Sequence, residues 1–324
     1  MAPYGSRSAR GSRPCREVAV TLDPIYVERF VEGDLDDLWR LTQDPDEHER
    51  WDPRFTEISY LPRADDEPQR FTYATRLGGR FGPGIEGTGE SVATRDDGGE
   101  TTSVLAFDSD SPLSPIRDGR GFWRYVETDD GVRFLTEYSY EAPWGRAGRF
   151  LDGLVVRPLL GWATALGFDV LGRWIEDGTP PEASYRALLA HAVARIGLAL
   201  VWIYQGLVPK LFVSHPDERG PFEAVGLDAV AVEAVLVLGL LEVALGIALL
   251  VRWRSAWLAY AAGLAPSVLV AGTLLADPSP ALGPFNPVTL AVTMAALGIV
   301  AGSHAGTLPS AANCLREPPA GASS

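Results

Sequence analysis

The chain has 324 residues and a formal net charge of −14, and 46% of its residues are apolar. Between residues 18 and 185, 17 arginines face 33 acidic residues, so the net charge of that part is −16. Residues 186–324 are nearly neutral, with seven basic and eight acidic residues. An acidic surface repels phosphates, which argues against nucleic acid as a partner. The two parts together predict a soluble cytosolic domain joined to a membrane domain.

Both ends of the chain are predicted to be disordered. Residues 1–17 are a basic tail with four arginines and one glutamate, and residues 306–324 form the second tail. Cys15 and Cys314 lie one in each tail, so they define no disulfide framework and no metal site. The acidic, arginine-only soluble part is typical of the acidic proteome of a halophile, although a GC-rich genome would also deplete lysine.

Residues 18–146 alternate like strands after an early pair of helices. "IYVERFV" predicts the first strand, and "GDLDDLWRLTQDPDEHERW" has helical spacing with Asp34 as its N-cap. Later strands are predicted by "FTEISYL", "RFTYATRLG", "EGTGESVATR", "TTSVLAF", "GFWRYVETDD" and "VRFLTEYSYEA", with hairpin turns at "RDDGGE" and "TDDG".

A long amphipathic helix is predicted next, in "GRFLDGLVVRPLLGWATALGFDVLGRWIEDG". Its apolar stripe consists of Leu151, Val155, Leu159, Trp162, Leu166, Val170 and Trp174. Charged residues interrupt the stripe, so we do not predict that the segment spans a membrane. Pro158 must either kink the helix or mark its first turn.

This order of elements resembles the polyketide cyclase/START-like (SRPBCC) superfamily. The resemblance covers about residues 20–180 and rests on "LWRLTQDPDEHERWDPRFTEISYLPR" and "RPLLGWATALGFDVLGRWIEDG". It implies an α+β helix-grip fold over residues 18–180, in which an antiparallel sheet wraps a long C-terminal helix and encloses an apolar cavity. Candidate cavity residues are Trp51, Phe55, Tyr73, Phe107, Trp123, Tyr138 and Trp162, although any one of them could be ordinary core.

No catalytic residue can be assigned from the sequence. The four histidines are scattered without the spacing of metal ligands, and no Ser-His-Asp or Cys-His arrangement is present. No cofactor motif is evident either. The sequence therefore leaves open whether the chain is an enzyme.

Four transmembrane helices are predicted after a linker at residues 181–187. The spans are residues 188–208, 229–251, 256–276 and 284–302, each near the ~20 residues that cross a bilayer. They predict an all-α four-helix bundle over residues 188–305. The connecting segments carry more arginine on the side of both termini, which predicts a multi-pass protein of the cell membrane with its termini and soluble domain in the cytoplasm.

Two polar clusters are predicted in the bundle. Arg195 and Glu242 lie at similar depth on neighbouring helices, so we expect an ion pair between them. The second cluster lies near the outer face and contains Gln205, Lys210, Glu218, Glu233 and Asn286. Lys210 is either a snorkelling interfacial residue or a partner of Glu218 or Glu233.

The membrane half resembles the DoxX-like family of four-helix membrane proteins. The resemblance rests on "ARIGLALVWIYQGLVPKLFVSHPDE", "GLLEVALG" and "GPFNPVTL". It implies that lysine is retained at position 210 because the family motif uses it there. The family relates to a subunit of a quinone-linked thiosulfate-oxidising enzyme, so quinone is a candidate cofactor.

Two functions follow from these features. The first is a membrane-anchored protein that binds a lipid, isoprenoid or polyketide-like molecule in its helix-grip cavity and exchanges it with the lipid bilayer. The alternative is a component of a quinone-linked membrane oxidoreductase, which needs a membrane partner subunit or a homo-oligomer. A third hypothesis gives the bundle only an anchoring role.

Overall fold

The computed structural model describes residues 23–64, 67–76, 82, 84–96, 98–223, 226–276 and 278–319. The predicted basic tail lies outside these residues, and so does Cys15.

The soluble half contains a seven-stranded antiparallel sheet in the order β1-β7-β6-β5-β4-β3-β2. Its strands are β1 (Ile25–Val31), β2 (Glu57–Tyr60), β3 (Gln69–Arg76), β4 (Gly84–Asp96), β5 (Glu100–Asp108), β6 (Arg117–Thr128) and β7 (Gly131–Glu141). All but the first strand are neighbours of the next strand in the chain, as hairpins require. Gly98 and Gly99 both have positive φ angles, which permits the tight turn predicted at "RDDGGE".

Two short helices follow β1, namely α1 (Leu35–Gln43) and α2 (Pro45–Trp51). Asp34 lies at the N-cap of α1, as predicted, but its side chain forms no capping hydrogen bond. Asp44 caps α2, because its carboxylate accepts a hydrogen bond from the backbone N–H of Asp46 at 3.0 Å.

The long helix consists of three consecutive pieces. They are α3 (Gly145–Leu151), a π-helical segment (Asp152–Val156) and α4 (Arg157–Asp177). Pro158 lies in the first turn of α4, and the helical backbone continues into that turn from the π-helical segment. Phe168 of α4 stacks on Phe134 of β7 with ring centres 4.3 Å apart. The strand order and this helix confirm the predicted α+β helix-grip fold.

The linker predicted at residues 181–187 is helical in the structure. Gly178 ends α4 with a positive φ of 66°, and α5 (Pro181–Gln205) begins three residues later. The prediction was wrong because "GTPPEASYRA" resembles a flexible linker, although Pro181 occupies the first turn of a helix.

The membrane half contains four long helices. After α5 the chain continues as a π-helical segment (Gly206–Phe212), a four-residue helix α6 (Gly220–Glu223), α7 (Ala231–Val251), α8 (Ala256–Ala276) and α9 (Pro287–His304). Helix α5 packs against α7 and α9, and α8 packs against α9. Close backbone approach is needed where Gly263 meets Gly298, because a Cβ on either would lie 2.7 Å from the other's Cα.

Five helices of the described residues are long and apolar enough to cross a membrane. Four are the predicted spans, with the first extended from Pro181 to Phe212. The fifth is the helix from Gly145 to Asp177, which packs against the sheet as the helix of the soluble domain.

The C-terminal segment, residues 305–319, is ordered and returns to the soluble domain. Leu315 pairs with Glu28 of β1 through two backbone hydrogen bonds of 2.9 Å. Asp169 of α4 accepts hydrogen bonds of 2.8 Å from the backbone of Ser310 and the side chain of Asn313. Cys314 is buried among core residues of the sheet and α4. The predicted disorder of this tail is therefore wrong up to residue 319.

Candidate functional site: a cavity and two polar clusters

The helix-grip domain contains a cavity of about 450 Å³ between the inner face of the sheet, α2 and α4. Six of the seven predicted aromatic residues line it, namely Phe55, Tyr73, Phe107, Trp123, Tyr138 and Trp162. Four of them lie on strands, where residues two apart face the same side of the sheet, whereas Phe55 lies in the loop before β2 and Trp162 lies on α4. A cavity of this volume is within the range of small-molecule sites.

Trp51 is buried in the core rather than exposed to the cavity. Its side chain is 0% exposed and its indole N–H donates to the carbonyl oxygen of Leu41 at 2.9 Å. Its ring stacks on His48, which does line the cavity. Trp51, the last residue of α2, therefore faces the core and contacts the cavity only through the His48 ring.

Two glycines of β6 allow close packing of the cavity residues Phe107 and Tyr138. Gly119 is paired with Phe107, and a Cβ on Gly119 would lie 2.0 Å from the Phe107 ring. Gly121 is paired with Tyr138, and a Cβ there would lie 2.4 Å from the Tyr138 Cβ. The Phe107 ring occupies the volume that a side chain at Gly119 would take, and the Tyr138 Cβ and neighbouring backbone occupy it at Gly121.

A buried polar group of Asp52, Arg54 and His48 lies in and behind the cavity wall. Asp52 accepts hydrogen bonds from Arg54 Nε at 2.9 Å and Arg54 Nη2 at 2.6 Å. His48 Nε2 lies 3.2 Å from Asp52 Oδ2, the oxygen that also accepts from Arg54 Nη2. Burial would raise the pKa of Asp52, but the charge and hydrogen bonds of Arg54, with those of His48, hold that pKa well below its usual value. Asp52 and Arg54 therefore form an ion pair inside the domain.

Exposed apolar side chains lie beside the cavity on the long helix. Leu159 and Trp162 line the cavity and are nevertheless 56% and 44% exposed. The exposed apolar surface continues along the helix towards its N-terminal end, with Trp144, Phe150, Leu151, Leu154 and Val155. The cavity thus borders exposed apolar side chains of the long helix.

The predicted ion pair between Arg195 and Glu242 is not formed. Arg195 is fully buried and donates to the carbonyl oxygens of Leu249, Arg252 and Ser255 at 2.8, 2.6 and 3.0 Å. These carbonyls lie at the C-terminal end of α7 and just beyond it, where a helix presents unpaired acceptors and a partial negative charge. Arg195 caps α7 instead of pairing with an acid.

Glu242 is paired with Lys210. Lys210 Nζ lies 3.1 Å from carboxylate oxygens of both Glu242 and Glu218. The predicted partnership with Glu218 is present, whereas Glu233 lies exposed on another face of α7. Lys210 reaches Glu242 because the first span continues as a π-helical segment and packs closely on α7 at Gly239, where a Cβ would lie 2.9 Å from the Lys210 Cβ.

The remaining predicted polar residues have local roles. The backbone oxygen of Gln205 lies 3.4 Å from Lys210 Nζ as an acceptor. Asn286 caps α9 by accepting a hydrogen bond from the Thr289 N–H at 3.1 Å. The structure therefore brings Lys210, Glu218 and Glu242 together and leaves Glu233 and Asn286 apart from them.

Sequence reasoning missed two polar features. The first is the group of His48, Asp52 and Arg54. It was missed because these residues lie in an acid-rich stretch whose charges were interpreted as solvated. His191 lies between two carbonyl oxygens, with its Nδ1 2.8 Å from Ala301 and its Nε2 3.0 Å from Trp253. Its only sequence signal was its position within an apolar span. Among the described residues, no group of three or more potential metal ligands is found.

Comparison with known proteins supports the two-part organisation. Residues 199–299 match the model of the DoxX-like family. The chain is 45% identical over 185 residues to YndG of Bacillus subtilis (strain 168), which is described as an uncharacterized membrane protein. That alignment covers 56% of this chain and 68% of YndG.

Two solved structures are similar to about half of the chain. Hypothetical protein jhp0584 of Helicobacter pylori has a TM-score of 0.39 at 16% identity, covering 53% of this chain and 99% of that one. The di-domain ARO/CYC StfQ from the steffimycin biosynthetic pathway has a TM-score of 0.35 at 15% identity, covering 49% of this chain and 52% of that one. Our fold assignment rests on the strand order and the long helix described above. The chain is a membrane protein that belongs to the same family as YndG, with a helix-grip domain followed by a DoxX-like domain.

Proposed function

We propose that the helix-grip domain binds an apolar small molecule, such as a lipid, an isoprenoid or a polyketide-like compound, at the surface of the membrane in which the chain is embedded. The observation that carries this proposal is the cavity of about 450 Å³, whose walls are mostly aromatic and aliphatic side chains. Burial of a ligand's apolar surface there would contribute roughly 25 cal/mol per Å² before the costs of association.

The exposed apolar side chains beside the cavity support exchange with a bilayer. Leu159 and Trp162 belong both to the cavity wall and to the surface, so an apolar ligand could enter past these two side chains. The four long apolar helices hold the domain next to lipid. Ligand entry from the bilayer needs no passage through bulk water in this arrangement.

Photo-labelling tests the proposal. The full-length protein in lipid nanodiscs is irradiated with a twelve-carbon hydrocarbon probe that carries a diazirine, and the modified peptides are mapped by mass spectrometry. We expect labelled peptides from β3, β5 and β6, which line the cavity, in addition to lipid-facing peptides of the bundle.

A cavity-filling variant provides the specific control. Ala163 lies on α4 at the cavity wall, so Ala163→Trp should fill part of the space and remove the strand labels. Ala147 is exposed on α3, and Ala147→Trp should leave labelling unchanged. Equal labelling of the strands in both variants, or labels only on the bundle, would contradict the proposal.

We also propose that the soluble domain faces the cytoplasm. The connection after α7 carries Arg252 and Arg254, whereas the connection after α5 carries Arg219 and the buried Lys210. In a Cys15→Ser background, a cysteine at exposed Asp217 should react with an impermeant maleimide in intact cells. A cysteine at exposed Asp129 should react only after permeabilisation, and the reverse pattern would place the domain outside.

A further inference from the structure

We propose that the cavity ligand carries an oxygen atom that accepts a hydrogen bond from Arg54, so that the domain selects apolar molecules with a carbonyl or carboxylate group. This inference rests on the proposed function, because it names the chemical class of the molecule bound in the same cavity.

Arg54 lies in the cavity wall with one nitrogen outside its ion pair. Its Nε and Nη2 donate to Asp52, and Nη1 takes no part in that pair. The guanidinium carbon lies 5.4 Å from the ring centre of Phe55 and 5.5 Å from that of Tyr138, and both rings line the cavity. The cationic group is therefore held at the cavity surface between two aromatic walls.

The other polar side chains around the cavity have partners within the protein. Tyr138 shares a hydrogen bond of 3.0 Å with Thr164, and Tyr73 donates to the carbonyl oxygen of Asp108 at 3.3 Å. Arg54 is the only arginine or lysine among the described residues that line the cavity. A ligand oxygen thus finds its strongest donor at Arg54, since charged donors form stronger hydrogen bonds than neutral ones.

Arg54 and Asp52 are largely shielded from water, so the donors of Arg54 that face the cavity depend on an acceptor inside it. The Arg54 side chain is only 15% exposed and that of Asp52 is 1% exposed. A guanidinium has five N–H donors, of which Asp52 accepts two, and the Tyr138 hydroxyl is a further acceptor. A pure hydrocarbon that displaces water would leave the remaining donors of Arg54 without an acceptor. Because Asp52 balances the charge of Arg54, a neutral carbonyl and a carboxylate are both acceptable in this position.

The test compares three photoreactive probes of the same twelve-carbon length, a hydrocarbon, a methyl ketone and a carboxylate. For each, the concentration that half-saturates labelling of the cavity peptides is measured on the full-length protein in nanodiscs. We expect a half-saturating concentration about tenfold lower for at least one oxygenated probe than for the hydrocarbon, which corresponds to about 1.4 kcal/mol. The two oxygenated probes show which acceptor is preferred.

Two variants separate the role of Arg54 from folding. The double variant Asp52→Asn/Arg54→Met removes both charges and should bring the three probes to similar half-saturating concentrations. Arg54→Lys keeps a cation and should retain part of the preference. Hydrocarbon labelling of the cavity peptides serves as the folding check for each variant. Arg76→Met, which alters an arginine of β3 paired with Glu86, should behave as the wild type.

The outcomes distinguish this inference from the proposed function. If the cavity peptides are labelled equally well by all three probes in the wild type, the inference about Arg54 is wrong and apolar binding stands. The same conclusion holds if the preference survives in a double variant that is labelled by the hydrocarbon. If no probe labels the cavity peptides, both proposals are wrong.

Discussion

Lys210 is the only lysine in the chain, and its side chain is 5% exposed between two carboxylates. A snorkelling lysine would instead hold its ammonium group in water at the membrane surface. Removing one member of a buried ion pair typically costs about 3–5 kcal/mol, because the remaining charge is left without a partner. The two carboxylates explain why this buried position needs a cation. They explain only in part why the cation is a lysine, since an arginine would also supply a positive charge.

Amine labelling tests the burial of Lys210. In the folded protein in mild detergent, an N-hydroxysuccinimide ester should modify the peptide containing Lys210 at least about tenfold more slowly than in protein unfolded in SDS, because the side chain is buried and the reagent cannot reach its amine. Quantitative mass spectrometry of that peptide measures the two rates. Equal rates would show that Lys210 lies at the water interface.

The Asp52–Arg54 pair predicts a dependence of stability on pH. The pKa of Asp52 is lowered in the folded protein relative to about 3.9 for an unfolded aspartate, so its contribution is complete above that value and is lost as the pH falls below it. The midpoint of thermal unfolding should therefore be higher for the wild type than for Asp52→Asn at pH 6, and the difference should narrow below about pH 4. Tryptophan fluorescence of both proteins between pH 3 and 7 measures it, and a constant difference would contradict the assignment.

At the scale of the elements, the sequence predicted most of the order of strands and helices. Period-two alternation and Gly-Gly or Asp-Gly turns identify antiparallel hairpins because both are local properties of the chain. The candidate cavity residues came instead from the aromatic side chains of the fold that the family resemblance implied, and six of the seven line the cavity. The Arg54 pair was missed because residues two apart outside a strand or helix give no periodic signal, and so a contact such as Asp52–Arg54 depends on the loop conformation after α2.

The C-terminal segment could not be predicted from its sequence for a related reason. It has no periodicity, and its order comes from tertiary contacts with the buried carboxylate of Asp169 and with Glu28 of β1. Similarly, the ion pair assigned to Arg195 required the relative rotation of α5 and α7, which the depth of a residue in a span does not give. The local sequence pattern therefore predicts whether a segment is a helix or a strand, whereas the contacts of its side chains depend on tertiary packing.

Thiol labelling tests the attachment of the C-terminal segment. In a Cys15→Ser background, Cys314 should react slowly with a maleimide, because burial raises the pKa of its thiol to about 12 and blocks access. Asp169→Ala removes the acceptor of Ser310 and Asn313 and should speed labelling at least about tenfold through local opening. Asp177→Ala, at an exposed position of α4, should not. Fast labelling without either change would show that the segment is detached.

At the scale of the whole molecule, three connections hold the helix-grip domain on the bundle. The first is the short passage from α4 to α5. The second is the contact of α2 with α5, where Arg50 donates to Glu182 at 2.8 Å and Tyr185 donates to the carbonyl oxygen of Trp51 at 2.5 Å. The third is the C-terminal segment, which runs from α9 along α4 to β1. Together they fix the cavity at one end of the bundle instead of leaving it on a free tether.

The central claim is that this fixed cavity holds an apolar molecule taken from the membrane. Its most direct test is to purify the full-length protein from its membranes in mild detergent and to extract bound molecules with organic solvent. These molecules are quantified by mass spectrometry for the wild type, Ala163→Trp and Ala147→Trp. The account predicts about one apolar molecule per chain in the wild type and in Ala147→Trp, and its loss in Ala163→Trp. The same set and amount of molecules in all three proteins would contradict it, because those molecules would then belong to the lipid around the bundle.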